Sequence, residues 1–383
     1  MGNFKTGFQK IRWKHYINYI VISLLMVVLM IMTETGNFKT SSIVILEKIT
    51  INVVLAVSLS LVVGFLGELS LGHAGFMCVG AFLGGKISVY LVDQMGNGLP
   101  ALLISLLVGG VCASFFGLLI GLPALRLKGD YLAIVTLAFG EIVKVIFQQS
   151  EFFGGNLGLT TPRYNRNEFY IICLLLVLLT LFVIQNLIRS KHGRAIISIR
   201  DNEIAARATG INVTKYKLMA FIISAFFAGI AGVMFSYSQN NFAASPKFGY
   251  NYSIEILVMV VLGGMGSING AIISATLITL LNEWLSTVLT GDLAVSKQIV
   301  YALALILVVI YNNAPALKGF RETHNLKALR DKYRRKKLDP AVVLDDAANW
   351  DRIPTKIEMD ELLSVDLNTG DEFTPDRPGK GGK

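Results

Sequence analysis

Residues 64–85 read GFLGELSLGHAGFMCVGAFLGG, a stretch that sets seven glycines and the polar Glu68, Ser70 and His73 among aliphatic and aromatic residues. It follows an uncharged run over 49–63 and precedes another over 99–125, so it sits at membrane depth in a chain whose solvent is mostly lipid. A spanning helix needs about 20 apolar residues. Uncharged stretches of that order recur at 169–186, 218–245, 256–282 and 299–317. Shorter or interrupted candidates lie at 16–32, 49–66, 70–85 and 131–147, the last carrying Glu141 and Lys144. Together they predict an all-α polytopic bundle of about eight to ten membrane segments, some of them broken or re-entrant.

A second glycine cluster, LGGMGSINGA at 262–271, interrupts another apolar run. A helix break inside a membrane needs protein or a water-filled cavity to satisfy the freed backbone groups, and in transporters paired breaks mark the substrate path. The candidates for lining such a path are therefore Glu68, Ser70, Gly72, His73 and Phe76 in the first cluster and Gly263, Gly264, Gly266 and Ser267 in the second. The plainer alternative is close helix packing, since Gly80/Gly84, Gly117/Gly121 and Gly266/Gly270 all fit a small-xxx-small spacing. For Gly117 and Gly121 packing is the preferred reading.

Composition agrees with a lipid environment: 53% of the 383 residues are hydrophobic and 16% charged, with a mean hydropathy of +0.58. The net charge of +9 would suit nucleic acid, but the basic residues gather at the ends of apolar runs, where they set topology. No nucleic-acid partner is expected. Residues 189–217 hold seven basic residues against Asp201 and Glu203, whereas 238–253 holds only Lys247, which places the former in the cytoplasm. The basic N-terminal segment 1–15 and the basic stretch 318–337 should face the same side. Residues 16–317 form the membrane domain, and the tail 318–383 begins as a basic helix on lipid and ends acidic, proline-containing and disordered. The run at 16–32 exceeds a signal-peptide core and no A-x-A site follows, so it reads as an uncleaved first helix. Cys78, Cys112 and Cys173 lie in apolar runs without paired spacing, and read as small buried hydrophobes rather than a disulfide or metal set.

Nothing suggests an enzyme. No G-x-x-x-x-G-K-[ST] loop occurs, so ATP hydrolysis by this chain is not expected, and there is no nucleophile elbow or His/Glu metal pair. Ionisable groups in the membrane each need a reason. Glu141 and Lys144, at i,i+3, suit a structural pair; Glu255 lies one turn into its run; Glu68 suits either an aqueous cavity or a glutamate that pins a broken helix. Between spans, GRAIISIRDNEIAARATGINVTKY at 193–216 places Ile196, Ile197, Ile199, Ile204, Ala205 and Ala208 at helical spacing, and Gly210 supplies the stop. One amphipathic helix is expected, packed either into a groove on a soluble partner or against its own membrane domain.

Four ordered stretches, GELSLGHAGFMCVGAF at 67–82, LPALRLKGDYLAIVTLAFGEI at 122–142, RAIISIRDNEIAARATGINVTKYKLMAF at 194–221 and LVMVVLGGMGSINGAIISA at 257–275, resemble the permeases of branched-chain amino acid ABC importers of the LivM type, over roughly residues 53–311. Within them, Glu203, Ala205, Ala206 and Gly210, with Arg200 and Asp201 just before, look like the EAA coupling loop that contacts the ATPase, although Ile204 departs from the strict triplet. The resemblance implies a subunit in a bacterial inner membrane working by alternating access, with no cofactor of its own. Its partners would be a second homologous permease, two ATP-binding subunits that use the ATP, and an extracytoplasmic binding protein. Related permeases carry urea, amides or other amino acids. From a different class, an autonomous carrier using Glu68 or Glu141 as an ion relay remains the rival reading, and a membrane scaffold with a recruiting basic tail is a third.

Overall fold

The computed structural model describes residues 40–96, 98–127, 129–242, 248–288, 302, 303 and 306. The basic N-terminus, the expected segment at 16–32, nearly all of that at 299–317 and the tail from 318 lie outside them. By its contacts the chain divides into Met1–Asn312 and Asn313–Lys383, and every described residue belongs to the first unit.

Among the described residues, six helices are long and apolar enough to cross a membrane. The first, α1 (Thr40–Ser60), runs on through a π-helical turn, Leu61–Leu66. Apart from Glu47, Lys48 and Asn52 it is largely apolar, and it is almost wholly buried, as suits a central helix. The second span is assembled from α2 (His73–Val79), a π-helical turn at Gly80–Gly84 and α3 (Gly85–Met95). Then come α4 (Leu99–Ala124), with a proline in its first turn where no donor is lost, and α5 (Asp130–Gln149). A two-stranded antiparallel ladder pairs β1 (Leu159–Thr160) with β2 (Asn241–Phe242). Between them in sequence lie α6 (Arg166–Arg189), the short α7 (Lys191–Asp201) and α8 (Glu203–Ala208), and α9 (Val213–Gln239). Two further helices, α10 (Tyr250–Leu262) and α11 (Ile268–Val288), complete the described bundle.

Four of these helices begin at a side chain that accepts the orphan amides of the first turn: Asn165 for α6, Ser190 for α7, Asn202 for α8 and Asn212 for α9. The long spans α4 and α9 meet on glycine and alanine. A Cβ on Gly229 would stand 2.5 Å from that of Ala113, and one on Gly117 2.8 Å from that of Ala225, so small residues let the backbones approach. Helix α2 joins the same seam, because a Cβ on Gly232 would meet the Met77 carbonyl oxygen at 2.0 Å. The packing reading of Gly117 therefore holds, and Gly121 likewise abuts Leu218 and Phe221. At one end of the bundle Phe82 lies 4.9 Å from both Phe147 and Phe242, which ties the ladder to α5 and the second span.

Two expectations change. The apolar run 256–282 is not one span: α10 stops at Leu262, the chain turns through Gly264 (φ 92°) and Gly266 (φ 82°), and α11 begins at Ile268. Only glycine adopts that backbone without strain. The amphipathic stretch at 193–210 is likewise two helices, because Asn202 leaves the helical conformation (φ −159°, ψ 104°) to cap the second.

Candidate functional site: a junction of two helix breaks and a loop

The first break follows the π-helical turn of α1, where Gly67 takes a left-handed conformation (φ 80°). The chain then crosses to α2 without helical bonds, and the freed amides are met by side chains of other helices. Leu71 N–H donates to Thr136 Oγ1 at 3.0 Å, and Ala74 N–H to Ser253 Oγ at 3.0 Å. Non-helical backbone is thus satisfied by buried protein, as the membrane interior demands. Gly72 lies against the Thr136 backbone, where a Cβ would clash at 2.3 Å.

The second break touches the first. A Cβ on Gly64 would sit 2.7 Å from the Gly266 nitrogen, so the two glycine clusters, about two hundred residues apart in sequence, meet backbone to backbone. Gly263 packs as closely on Gly270 across its own turn. Ser267 Oγ accepts the Gly270 amide at 3.1 Å and opens the first turn of α11. Beside it Phe65, Gln185, Arg189, Gly266 and Asn269 line a cavity of about 180 Å³.

The loop 189–217 closes over this contact. Arg200 Nη1 donates to the Gly64 carbonyl oxygen at 3.2 Å, while Nε and Nη2 bond Asp201 Oδ1 at 3.0 and 2.8 Å. The stem of Arg200 fills the space a side chain at Gly67 would need. Lys217, buried in the first turns of α9, bonds the Glu68 carboxylate and also Glu203 Oε2 at 3.1 Å, and Glu203 Oε1 accepts from Arg207 at 2.9 Å. The two carboxylates give this buried ammonium partners for its hydrogen bonds and charge.

The structure thus gathers most of the residues singled out in the sequence. Glu68 stands at the mouth of the first break, bonded through Lys217 to Glu203 of the loop. Ser70 and His73 are buried, with His73 Nε2 3.0 Å from Ser58 Oγ on α1. Phe76 packs in an aromatic cluster with Phe139 and Phe221, ring centroids 5.0 and 5.4 Å away. Gly264 and Ser267 are exposed at the turn. On the loop, Ile196, Ile199 and Ala206 face inward, whereas Ile204 is 81% exposed and Ala205 is exposed beside it. Gly210 ends α8 with a left-handed backbone (φ 86°), its amide bonding the Arg207 carbonyl at 3.1 Å. Glu141 forms the pair expected of it, 2.7 Å from Lys144, and also accepts the Tyr250 amide at the start of α10.

Sequence reasoning missed Lys217, counted there only among the topology charges. A lysine inside an apolar helix was the available signal. It also missed Glu47 and Lys48, which were not weighed as intramembrane charges although both belong to α1. Glu47 is fully buried, accepts from Ser238 Oγ at 2.6 Å and lies 3.9 Å from Arg166. Lys48 pairs with Glu283 of α11 at 2.7 Å.

Comparison with known proteins bears on this arrangement directly. The family described as branched-chain amino acid transport system / permease component matches residues 41–310, which takes in both breaks and the loop. The high-affinity branched-chain amino acid transport system permease proteins LivM of Salmonella typhimurium and of Escherichia coli K12 are each 36% identical over 266 residues. That alignment covers 61% of this chain and 61% of theirs, so the chain spans about three fifths of the length of these relatives. The ribose import permease protein RbsC of Escherichia coli K12 is 26% identical over 315 residues, 76% of this chain and 92% of that one. No solved structure matches. With a family match over most of its length, and with several buried apolar helices long enough to span a bilayer, this chain is a multi-pass membrane protein that belongs to the permease components of branched-chain amino acid transport systems.

Proposed function

We propose that this chain is the translocating subunit of an ATP-binding cassette importer for leucine, isoleucine and valine, with loop 189–217 as the point at which separate ATPase subunits act. The observation that carries the reading is the junction: Glu203 on the loop and Glu68 at the first break share one lysine, and Arg200 bonds the carbonyl of Gly64, which touches the second break. Force on α7 and α8 would reach the first break through these hydrogen bonds and the second through the close backbone contact of Gly64 with Gly266. The outward Ile204 and Ala205 offer an apolar spot for a groove on a soluble partner, while the inward face of α7 anchors the loop to its own helices.

In this reading the loop, the N-terminus and the tail face the cytoplasm. A second permease of the same family completes the path, and a binding protein outside the membrane delivers the amino acid. ATP is bound and hydrolysed by the partners. Glu68 and Glu141 each hold a lysine, which disfavours their service as a proton or ion relay in an autonomous carrier. The two LivM relatives from Salmonella typhimurium and Escherichia coli K12, at 36%, are more identical to this chain than the ribose permease at 26%, which supports the amino acid over the sugar.

The test is uptake of labelled leucine and leucine-stimulated ATP hydrolysis in vesicles holding the assembled transporter. Glu203→Arg repels Lys217 and Arg207, and Gly210→Trp forces a bulky side chain into a left-handed backbone. Each is expected to lower coupled hydrolysis at least tenfold with the chain still inserted. Unchanged coupled hydrolysis in both, or leucine accumulation by the chain alone without nucleotide, would overturn the reading.

A further inference from the structure

At the end of the bundle away from the junction, α1, α10 and α11 enclose a cavity of about 220 Å³. Asn52, whose amide reaches this cavity, lies about 18 Å along α1 from Gly64, at about 1.5 Å per residue. Its polar lining is unusual for membrane depth. Lys48 Nζ bonds Glu283 at 2.7 Å; Asn52 donates to Thr279 Oγ1 at 2.7 Å and accepts from Tyr252 Oη at 2.5 Å; Asn282 donates to Glu255 Oε1 at 3.2 Å. One ammonium and two carboxylates thus face a space that a few amides and a phenol also reach, and Ile51 and Phe235 supply an apolar wall.

We propose that this cavity receives the charged head of an α-amino acid in transit, its carboxylate toward Lys48, its ammonium toward Glu255 and Glu283, and its hydrocarbon side chain along Ile51 and Phe235. The proposal rests on the permease reading above and adds the place and the chemistry of recognition. Carrying a charged group into a bilayer is costly, so a zwitterion needs counter-charges of both signs on the way. Here they lie in one cavity, and the volume falls below the roughly 300–1,000 Å³ of sites for drug-sized ligands, which suits a small solute. Lys48 and Glu283 already pair with each other and are half-buried, so a neutral sugar would add no ionic contact to them, whereas a zwitterion offers each a counter-charge. The Lys48–Glu283 pair also joins α1 to α11, and α10 and α11 are the two arms of the second break. A solute that exchanges partners with this pair would loosen the contact that holds those arms to α1, the motion an importer needs.

The experiment uses membrane vesicles carrying the full transporter, with a reporter thiol introduced by Asn251→Cys at the rim of the cavity and the parent chain as blank. The rate of reaction with a water-soluble maleimide is read with no solute and with L-leucine, leucinamide or D-ribose. L-leucine is expected to slow labelling at least threefold; leucinamide, which lacks the carboxylate, and D-ribose are expected to leave it within error. Lys48→Met is expected to abolish protection, and Lys48→Arg to retain it, which a general packing defect would not produce. Glu283→Gln gives a second variant should Lys48→Met fail to insert, and is likewise expected to lose protection. Equal protection by leucine and ribose, or undiminished leucine protection in Lys48→Met or Glu283→Gln, would overturn the proposal. ATP-driven leucine uptake in the same vesicles reports the permease reading separately: uptake without protection sinks the head-group site alone, and no uptake sinks the substrate reading beneath it.

Discussion

Lys217 shows how one side chain can set the behaviour of the junction. Its ammonium is buried and shared by Glu68 and Glu203, and the sequence separation from Glu68 is 149 residues, so no local pattern could have paired them. The lysine was visible; its partners were not, because they come together only through the tertiary crossing of α1 and α9. Truncating one member of a buried pair typically costs about 3–5 kcal/mol, since the remaining charge is left without a partner. Lys217→Met is expected to lose that much stability, or to insert and then melt at a lower temperature in detergent. Glu68→Gln/Lys217→Met should recover part of the loss, with a coupling of about 0.5–3 kcal/mol in a double-mutant cycle. Simple additivity of the two melting shifts would show that the three groups do not act as a unit. By contrast, Arg200–Asp201 and Arg207–Glu203 are partly exposed pairs, worth about 0–1 kcal/mol each, so Asp201→Asn should leave the melting temperature nearly unchanged.

The loop 189–217 is the element whose sequence and structure are most usefully set side by side. Apolar residues at helical spacing gave a helix, and of its two alternative destinations the structure shows one: α7 buries Ile196 and Ile199 on its own bundle, while α8 leaves Ile204 exposed. What periodicity could not register is Asn202, which resets the helix phase between them. A side chain that bonds a backbone amide three residues on competes with helix continuation, and here Asn202 Oδ1 accepts from Ala205 at 3.0 Å. Removing a cap costs about 0.5–2 kcal/mol, a large share of what a helix as short as α8 can hold. Asn202→Ala is therefore expected to speed amide hydrogen exchange across 205–208 by about tenfold while exchange in α9 stays as it was. Asn202→Asp, which keeps the acceptor, should restore slow exchange; equal protection in all three proteins would refute the cap. The second break has a similar history. Glycines at 263–266 marked it in the sequence, yet the uncharged run around them was long enough to count as one span, because hydropathy registers what can enter lipid and not where the chain turns.

At the scale of the molecule, burial runs from the centre outward. Helix α1 is almost wholly enclosed, α9 largely so, and α4, α6 and α11 bury less than half of their apolar windows. Their outer faces are strongly apolar: Leu103, Leu107 and Phe115 on α4, Leu175, Leu179 and Phe182 on α6 are all exposed. In water such a surface would be an aggregation liability; in a bilayer it is a face suited to lipid tails. Exposed apolar residues on α8 have a different meaning, because α8 lies outside the spanning helices and its charged neighbours Glu203 and Arg207 share the same short turn. The distinction can be measured with one kind of substitution at two equally apolar positions. Leu107→Arg places a charge on the outer face inside α4 and should disfavour insertion by up to about 2.5–3.5 kcal/mol, seen as a fall of the chain in the membrane fraction. Ile204→Lys, at a more exposed residue, should leave the membrane fraction unchanged and weaken only the ATP-coupled activity, since the surface it alters is expected to meet a soluble partner. If both variants lost the membrane fraction equally, α8 would have to lie in lipid, and the junction could not be the place where force enters from outside the bilayer.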